Sequence, residues 1–126
     1  MLNTVMVIDD SETDLLFARI VLERSGLARR LMLLESATEA LQQLVRPHAT
    51  PVDLILLDIN MPGMDGFEFL AAYSVQCAQP VPVVMLSASP DPADRVRALR
   101  HPFVRDCLTK PLAPTVAASL ADRFQP

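Results

Sequence analysis

Several features that define other protein classes are scarce in this chain of 126 residues. Its two cysteines, Cys77 and Cys107, form no pattern typical of a disulfide framework or a metal site, so a reducing compartment is expected. No apolar run approaches the roughly 18 residues that span a bilayer. The first residues lack the charged start of a signal peptide. Basic residues are not in excess, since the net charge is −4, and this argues against a nucleic-acid surface. These absences predict a cytoplasmic globular protein.

The composition that remains is that of one ordinary folded unit. Hydrophobic residues make up 51% of the chain and charged residues 21%, which is typical of a globular domain. Neither an internal repeat nor a linker divides the sequence. We therefore expect a single domain over residues 1–126, without an output domain.

Apolar strands and capped helices alternate five times along the sequence. Strands are predicted at Thr4–Asp9, Arg30–Leu34, Val52–Asp58, Val81–Leu86 and Val104–Thr109. Ser11, Ser36 and Asp91-Pro92 are helix-start signals, and Gly26 is a helix-end signal. This alternation predicts the α/β class, with a doubly wound five-stranded parallel sheet and helices on both faces.

The helices are expected to bury one apolar face each. In the first helix this face is predicted to hold Leu15, Leu16, Ala18, Ile20 and Leu22, and in the second Ala40, Leu41 and Leu44. The fourth helix is predicted at Pro92–Arg100, and the fifth from Pro114 to about Phe124.

Chemically active residues stand at four predicted strand ends. They are Asp9-Asp10, Asp58, Ser87 and Lys110. In open α/β sheets the carboxyl ends of parallel strands form the ligand crevice, so these groups are expected to converge. Lys110 is the only lysine among 11 basic residues, which suggests a position where a compact point charge matters.

The chemistry that suits this set is phosphoryl transfer to a carboxylate. Asp58 can accept a phosphoryl group brought in line with it. The acids beside it would repel the incoming phosphate unless a hard cation lay between them, and oxygen-only ligands select Mg²⁺. Lys110 would offset charge on the other side, and Ser87 could donate a hydrogen bond to a phosphoryl oxygen.

Four motifs together resemble the receiver domains of two-component response regulators, of the CheY-like type. They are Asp9-Asp10, the block from Leu56 to Gly66, Ser87-Ala88 and Lys110-Pro111. The resemblance implies the flavodoxin-like strand order 2-1-3-4-5. It also implies that Asp58 is the phosphoacceptor, Asp10 a direct Mg²⁺ ligand and Asp9 a ligand through metal-bound water. Asn60 would supply a backbone carbonyl to the metal, Ser87 the switch hydroxyl, and Lys110 the phosphate contact before a cis peptide to Pro111.

The same resemblance implies a role in signal transduction. The expected function is that of a single-domain response regulator, phosphorylated by a sensor histidine kinase or a histidine phosphotransfer protein. It would signal through an unknown protein target, without nucleic acid or membrane insertion. It would be no enzyme in the usual sense, because it catalyses only its own phosphorylation and dephosphorylation.

Two alternatives and two departures accompany this interpretation. A phosphohydrolase of the haloacid-dehalogenase kind needs a second acid two residues after its nucleophile, where this chain has Asn60. A binding module that works without phosphorylation is disfavoured by the complete acidic set. Receivers usually carry Tyr or Phe where this chain has Cys107, and a Gly-Ala pair where it has His101-Pro102-Phe103. Both departures lie on the surface that receivers of this type use to signal, so they concern signal output rather than the phosphorylation chemistry.

Overall fold

Strands and helices alternate along the computed structural model, which describes residues 1–88 and 91–124. The strands are β1 (Leu2–Ile8), β2 (Ala28–Leu34), β3 (Leu54–Asp58), β4 (Val83–Ser87) and β5 (Val104–Thr109). The helices are α1 (Glu12–Ser25), α2 (Ala37–Val45), α3 (Gly66–Gln76), α4 (Pro92–Ala98) and α5 (Pro114–Arg123). Within the described ranges, no helix has the length and apolarity needed to cross a membrane.

All five strands form one parallel sheet in the order β2-β1-β3-β4-β5, which confirms the predicted doubly wound architecture. Two apolar clusters cover its faces. One joins the sheet to α2, α3 and α4, and its largest fully buried side chains include Phe69 and Tyr73. The other joins it to α1 and α5 through residues such as Leu22 and Leu120. The central strand β3 is buried throughout, as expected for a strand covered on both sides.

The helix-start signals in the sequence work as predicted. The hydroxyls of Ser11 and Ser36 accept hydrogen bonds from backbone N–H groups three residues on, and the Asp91 carboxylate caps α4. Gly26 ends α1 in the left-handed conformation, with φ of 71°. The three caps fix where α1, α2 and α4 begin after their strands, and Gly26 fixes where α1 ends.

The predicted apolar face of α1 is wrong in part. Leu15, Ala18 and Leu22 are buried, but Leu16 and Ile20 are 56% and 44% exposed, and Val21 is buried in their place. The helix contacts the sheet and α5, and this packing leaves the flank that carries Leu16 and Ile20 in solvent. In α2, Ala40 and Leu41 are buried as predicted, while Leu44 is half-buried against the same cluster.

Several strand and helix ends also differ from the prediction. Strand β4 begins at Val83 because Pro82 has no N–H to donate and the N–H of Val81 donates to the Tyr73 hydroxyl at 3.1 Å. Strand β3 begins two residues later than predicted, after Asp53, whose carboxylate accepts the N–H groups near the start of β1. Helix α4 ends at Ala98, where the chain turns through a hydrogen bond from His101 N to the Ala98 carbonyl.

Candidate functional site

Strand register brings the predicted site residues to one level at the carboxyl edge of the sheet. Ile8 of β1 pairs with Leu57 of β3, so the next residues, Asp9 and Asp58, lie side by side. Asp58 in turn pairs with Leu86, the residue before Ser87. On the far side of β4, the N–H of Lys110 donates to the Ser87 carbonyl at 2.8 Å. The four strand ends therefore form one crevice, as the sequence predicts.

Three carboxylates lie together in this crevice. Asp9, Asp10 and Asp58 each offer an oxygen, and these oxygens lie within 4.8 Å of one another. Asp9 and Asp58 are buried, at 4% and 5% exposed, whereas Asp10 is exposed. Asp9 also accepts the N–H of Ser11 at 3.0 Å, which fixes its carboxylate at the start of α1. The cluster thus has two buried acids beneath one that faces solvent.

Lys110 is the cation of the site. Its Nζ contacts the Asp9 carboxylate closely, and it lies 3.0 Å from Asp14 Oδ2 and 3.3 Å from Asp58 Oδ1. Burial lowers the pKa of Lys110, but hydrogen bonds to Asp9 and Asp14 and the nearby Asp58 raise it well above its usual value. The ammonium therefore stays charged at any physiological pH.

The carboxyl group of Asp58 is held in an unfavourable environment for its charge. Burial and repulsion from Asp9 raise its pKa from 3.8 to about 6, even though Lys110 lowers it. The ammonium of Lys110 thus does not offset the combined effect of burial and the neighbouring acids. Near pH 7 Asp58 is still mostly ionised, which is the state that a phosphoryl acceptor needs.

The donor atoms fit a hard divalent cation. The cluster supplies only carboxylate oxygens, which suit Mg²⁺ rather than a softer metal. Burial and the neighbouring Asp9 raise the pKa of Asp58, so a cation beside its carboxylate would stabilise the ionised form. Asp9, Asp10 and Asp58 are the residues that would hold the ion, and when bound it would supply positive charge next to the transferred phosphoryl group.

The remaining predicted site residues surround this cluster. Ser87 ends β4 and is buried, at 2% exposed. Asn60 is exposed in the loop two residues after Asp58. The peptide bond between Lys110 and Pro111 is cis. Cys107 lies half-buried on β5, against the apolar cluster that joins the sheet to α2, α3 and α4.

Two residues of the site were not predicted. Asp14 lies in the first turn of α1, and its carboxylate is a direct partner of Lys110 at 3.0 Å. Its sequence position does not indicate this contact, because Lys110 lies 96 positions away. Gly66 starts α3, and a Cβ there would lie 2.8 Å from the carbonyl oxygen of Asp58 and 2.9 Å from Ile59 Cα. A glycine is needed for this close backbone approach.

The family model named response regulator receiver domain matches residues 5–121. The chain belongs to this family. It is 31% identical over 122 residues to the two-component response regulator ORR6 of Oryza sativa, with 96% of the chain and 70% of that protein covered. It is also 32% identical over 113 residues to the sensor histidine kinase GacS of Pseudomonas protegens, covering 86% of the chain and 12% of the kinase.

A solved two-component response regulator from Cytophaga hutchinsonii has the same fold. Its TM-score is 0.86 at 24% identity, with 98% of the chain and 96% of that structure covered. The receiver spans less than a fifth of the length of its longer curated relatives, at 18% and 12%. Receivers are signalling switches that histidine kinases phosphorylate, rather than conventional enzymes. The family assignment and the strand order are thereby confirmed.

Proposed function

We propose that this receiver is a working phosphoryl acceptor and that Asp58 is the residue modified. The observation that carries the proposal is the position of Asp58, which lies level with Asp9 and 3.3 Å from the ammonium of Lys110. In the described part of the chain, no other carboxylate lies both in the acidic cluster and at the end of the buried central strand.

The reaction follows from the roles of these groups. An Oδ atom of Asp58 attacks phosphorus of a phosphohistidine on the donor protein, the P–N bond breaks, and the departing imidazole keeps the electron pair and takes up a proton. Lys110 offsets charge on the phosphoryl oxygens, and Ser87 would donate a hydrogen bond to one of them. Asp9, Asp10 and Asp58 would hold Mg²⁺, with the Asn60 carbonyl as a further ligand. A water molecule that attacks the phosphorus atom would later break its bond to the Asp58 oxygen, releasing inorganic phosphate and the free carboxylate.

The proposal extends to how the signal leaves the protein. We also propose that the protein acts as a single-domain regulator through protein contacts. Its donor would be a sensor histidine kinase or a histidine phosphotransfer protein. The two unpaired cysteines fit a reducing compartment such as the cytoplasm. Immunoblotting of the source cells tests this part, since detection of the receiver only within a longer polypeptide would contradict it.

Incubation with acetyl phosphate and Mg²⁺ tests the chemistry. Intact mass measurement should show the gain of one phosphoryl group, and hydroxylamine should remove it, because acyl phosphates react with that nucleophile. Asp58→Ala should gain none, whereas the control Asp122→Asn, at an exposed position on α5, should behave like the wild type. A phosphoryl group on the Asp58→Ala chain would refute the assignment, and no gain in the wild type would favour the binding-module alternative.

A further inference from the structure

A cavity of about 240 Å³ lies between Ser87 and helix α4. Its walls include Ile59 and Ser87, Pro92 and Arg95 of α4, and Cys107 and Leu108 of β5. A cysteine side chain is small, and at this position it leaves open space that a ring would fill. The space is partly open to solvent, and it leaves room for α4 to shift toward Ser87.

Helix α4 has few other attachments to the rest of the protein. It is seven residues long, and Ala98 is its only buried residue. Val96 is 60% exposed, and Arg97 lies over the ring of Phe67 at 4.1 Å. An element with so little buried apolar surface is held weakly and can be displaced at low free-energy cost.

The attachment of α4 to the sheet edge is an ionic bridge. Arg95 Nη1 donates to Asp106 Oδ1 at 3.0 Å and to the Cys107 carbonyl at 3.3 Å. Arg123 Nη1 of α5 donates to the other oxygen, Asp106 Oδ2, at 3.0 Å. The N–H of Cys107 also donates to Asp106 Oδ1 at 2.8 Å. One carboxylate on β5 therefore joins α4 to α5, and we name these three side chains the Arg95–Asp106–Arg123 bridge.

Charge compensation in the bridge is effective. Burial raises the pKa of Asp106, but the hydrogen bonds from Arg123 and Arg95 outweigh it and lower the pKa below its usual value. Arg95 has a second role, because its side chain is also a wall of the cavity beside Ser87. Any movement of α4 into that cavity must displace Arg95 relative to Asp106.

We propose that the Arg95–Asp106–Arg123 bridge couples α4 to α5, so that a change at Ser87 reaches α5 through Asp106 rather than through the side chain at position 107. This inference rests on the proposed function, because it needs the phosphorylated state to alter Ser87. Asp106 is then a positioning residue. A displacement of Arg95 would shift the Asp106 carboxylate through its contact with Oδ1, and this shift would move Arg123 through its contact with Oδ2.

Amide hydrogen exchange with and without beryllofluoride and Mg²⁺ tests the coupling. Beryllofluoride mimics the phosphoryl group on a carboxylate, and ¹⁹F NMR of the bound ligand shows separately that the site is loaded. In the wild type, exchange should change in α4 and in α5. In Asp106→Asn and in Arg123→Gln, the change in α4 should persist, and the change in α5 should shrink by about two- to fivefold, as expected for an ionic contact at the surface.

The matched control is Arg19→Gln, which removes an exposed ion pair with Glu23 at 3.0 Å within α1. This variant should respond like the wild type. A merely stabilising bridge would change exchange in α5 equally with and without beryllofluoride, and that result would overturn the inference. So would an undiminished response of α5 in both bridge variants. If beryllofluoride does not bind to the wild type, the proposed function fails together with the inference.

Discussion

Replacement of Asp58 by Asn should stabilise the metal-free protein at neutral pH. The pKa of Asp58 is raised from 3.8 to about 6 in the folded state, so the folded chain binds this proton more tightly than the unfolded chain does. Stability contributed by this group is then present at low pH and is lost as the pH rises from about 4 through 6. A shift of about two pKa units corresponds to about 3 kcal/mol at pH 7.5. Asn has nearly the same shape and carries no charge, so it avoids this loss.

Urea unfolding in the presence of a chelator measures the effect. With a slope of about 1 to 3 kcal/mol per molar urea, the midpoint of Asp58→Asn should lie about 1 to 3 M above that of the wild type at pH 7.5. The difference should vanish near pH 4, where Asp58 is protonated. Added Mg²⁺ should narrow the gap at pH 7.5, because a cation bound to the folded wild type stabilises the ionised carboxylate of Asp58.

Asp122→Asn is the control, since it removes one carboxylate from an exposed position on α5. Its midpoint should follow that of the wild type at each pH. The reasoning is wrong if Asp58→Asn is no more stable than the wild type at pH 7.5. It is also wrong if the gap persists unchanged at pH 4, because the effect would then not come from ionisation.

Three further substitutions test the neighbouring groups. Asp10→Asn should largely abolish the rise in melting temperature caused by Mg²⁺, and an unchanged rise would remove Asp10 from the metal site. Lys110→Arg keeps the charge but places a larger planar group among the acids. Phosphorylation by acetyl phosphate should therefore slow by roughly 10- to 100-fold. A wild-type rate of phosphorylation would contradict the argument that a compact point charge is needed at this position. Gly66→Ala places a Cβ 2.8 Å from the Asp58 carbonyl oxygen, so it should destabilise the fold by about 1 to 3 kcal/mol in urea unfolding. Unaltered stability there would show that the loop yields easily.

The strands and the convergence of the site could be predicted because both follow from local patterns. Apolar runs such as Leu54–Leu57 are buried on both faces, and a carboxylate directly after such a run marks the edge of the sheet. Parallel register then brings Asp9 and Asp58 level. None of this requires knowledge of how the helices pack.

The features that could not be predicted depend on contacts between distant elements. Which flank of α1 is buried depends on α5, so Leu16 and Ile20 were wrongly expected in the core. Asp14 becomes a site residue only because Lys110, 96 positions away, reaches it. The role of Asp106 likewise needs Arg95 from α4 and Arg123 from α5 at 3.0 Å each. Sequence spacing alone does not indicate these contacts between distant parts of the chain.

The two ionic groups of this receiver differ in a way that suits different roles. At Asp106 two arginines meet one carboxylate, the pKa is lowered, and the charged form is favoured in the folded state. At Asp58 one lysine contacts three carboxylates, the pKa is raised, and the charged form is disfavoured. The compensated bridge at Asp106 holds α4 and α5 against β5. The carboxylate cluster at Asp58, by contrast, is stabilised when a proton or a metal cation binds. The buried, incompletely compensated carboxylate at the sheet edge therefore makes the stability of the fold responsive to a bound cation. The bridge at Asp106, whose pKa is lowered, stays charged at neutral pH and can pass on a change in the position of Arg95.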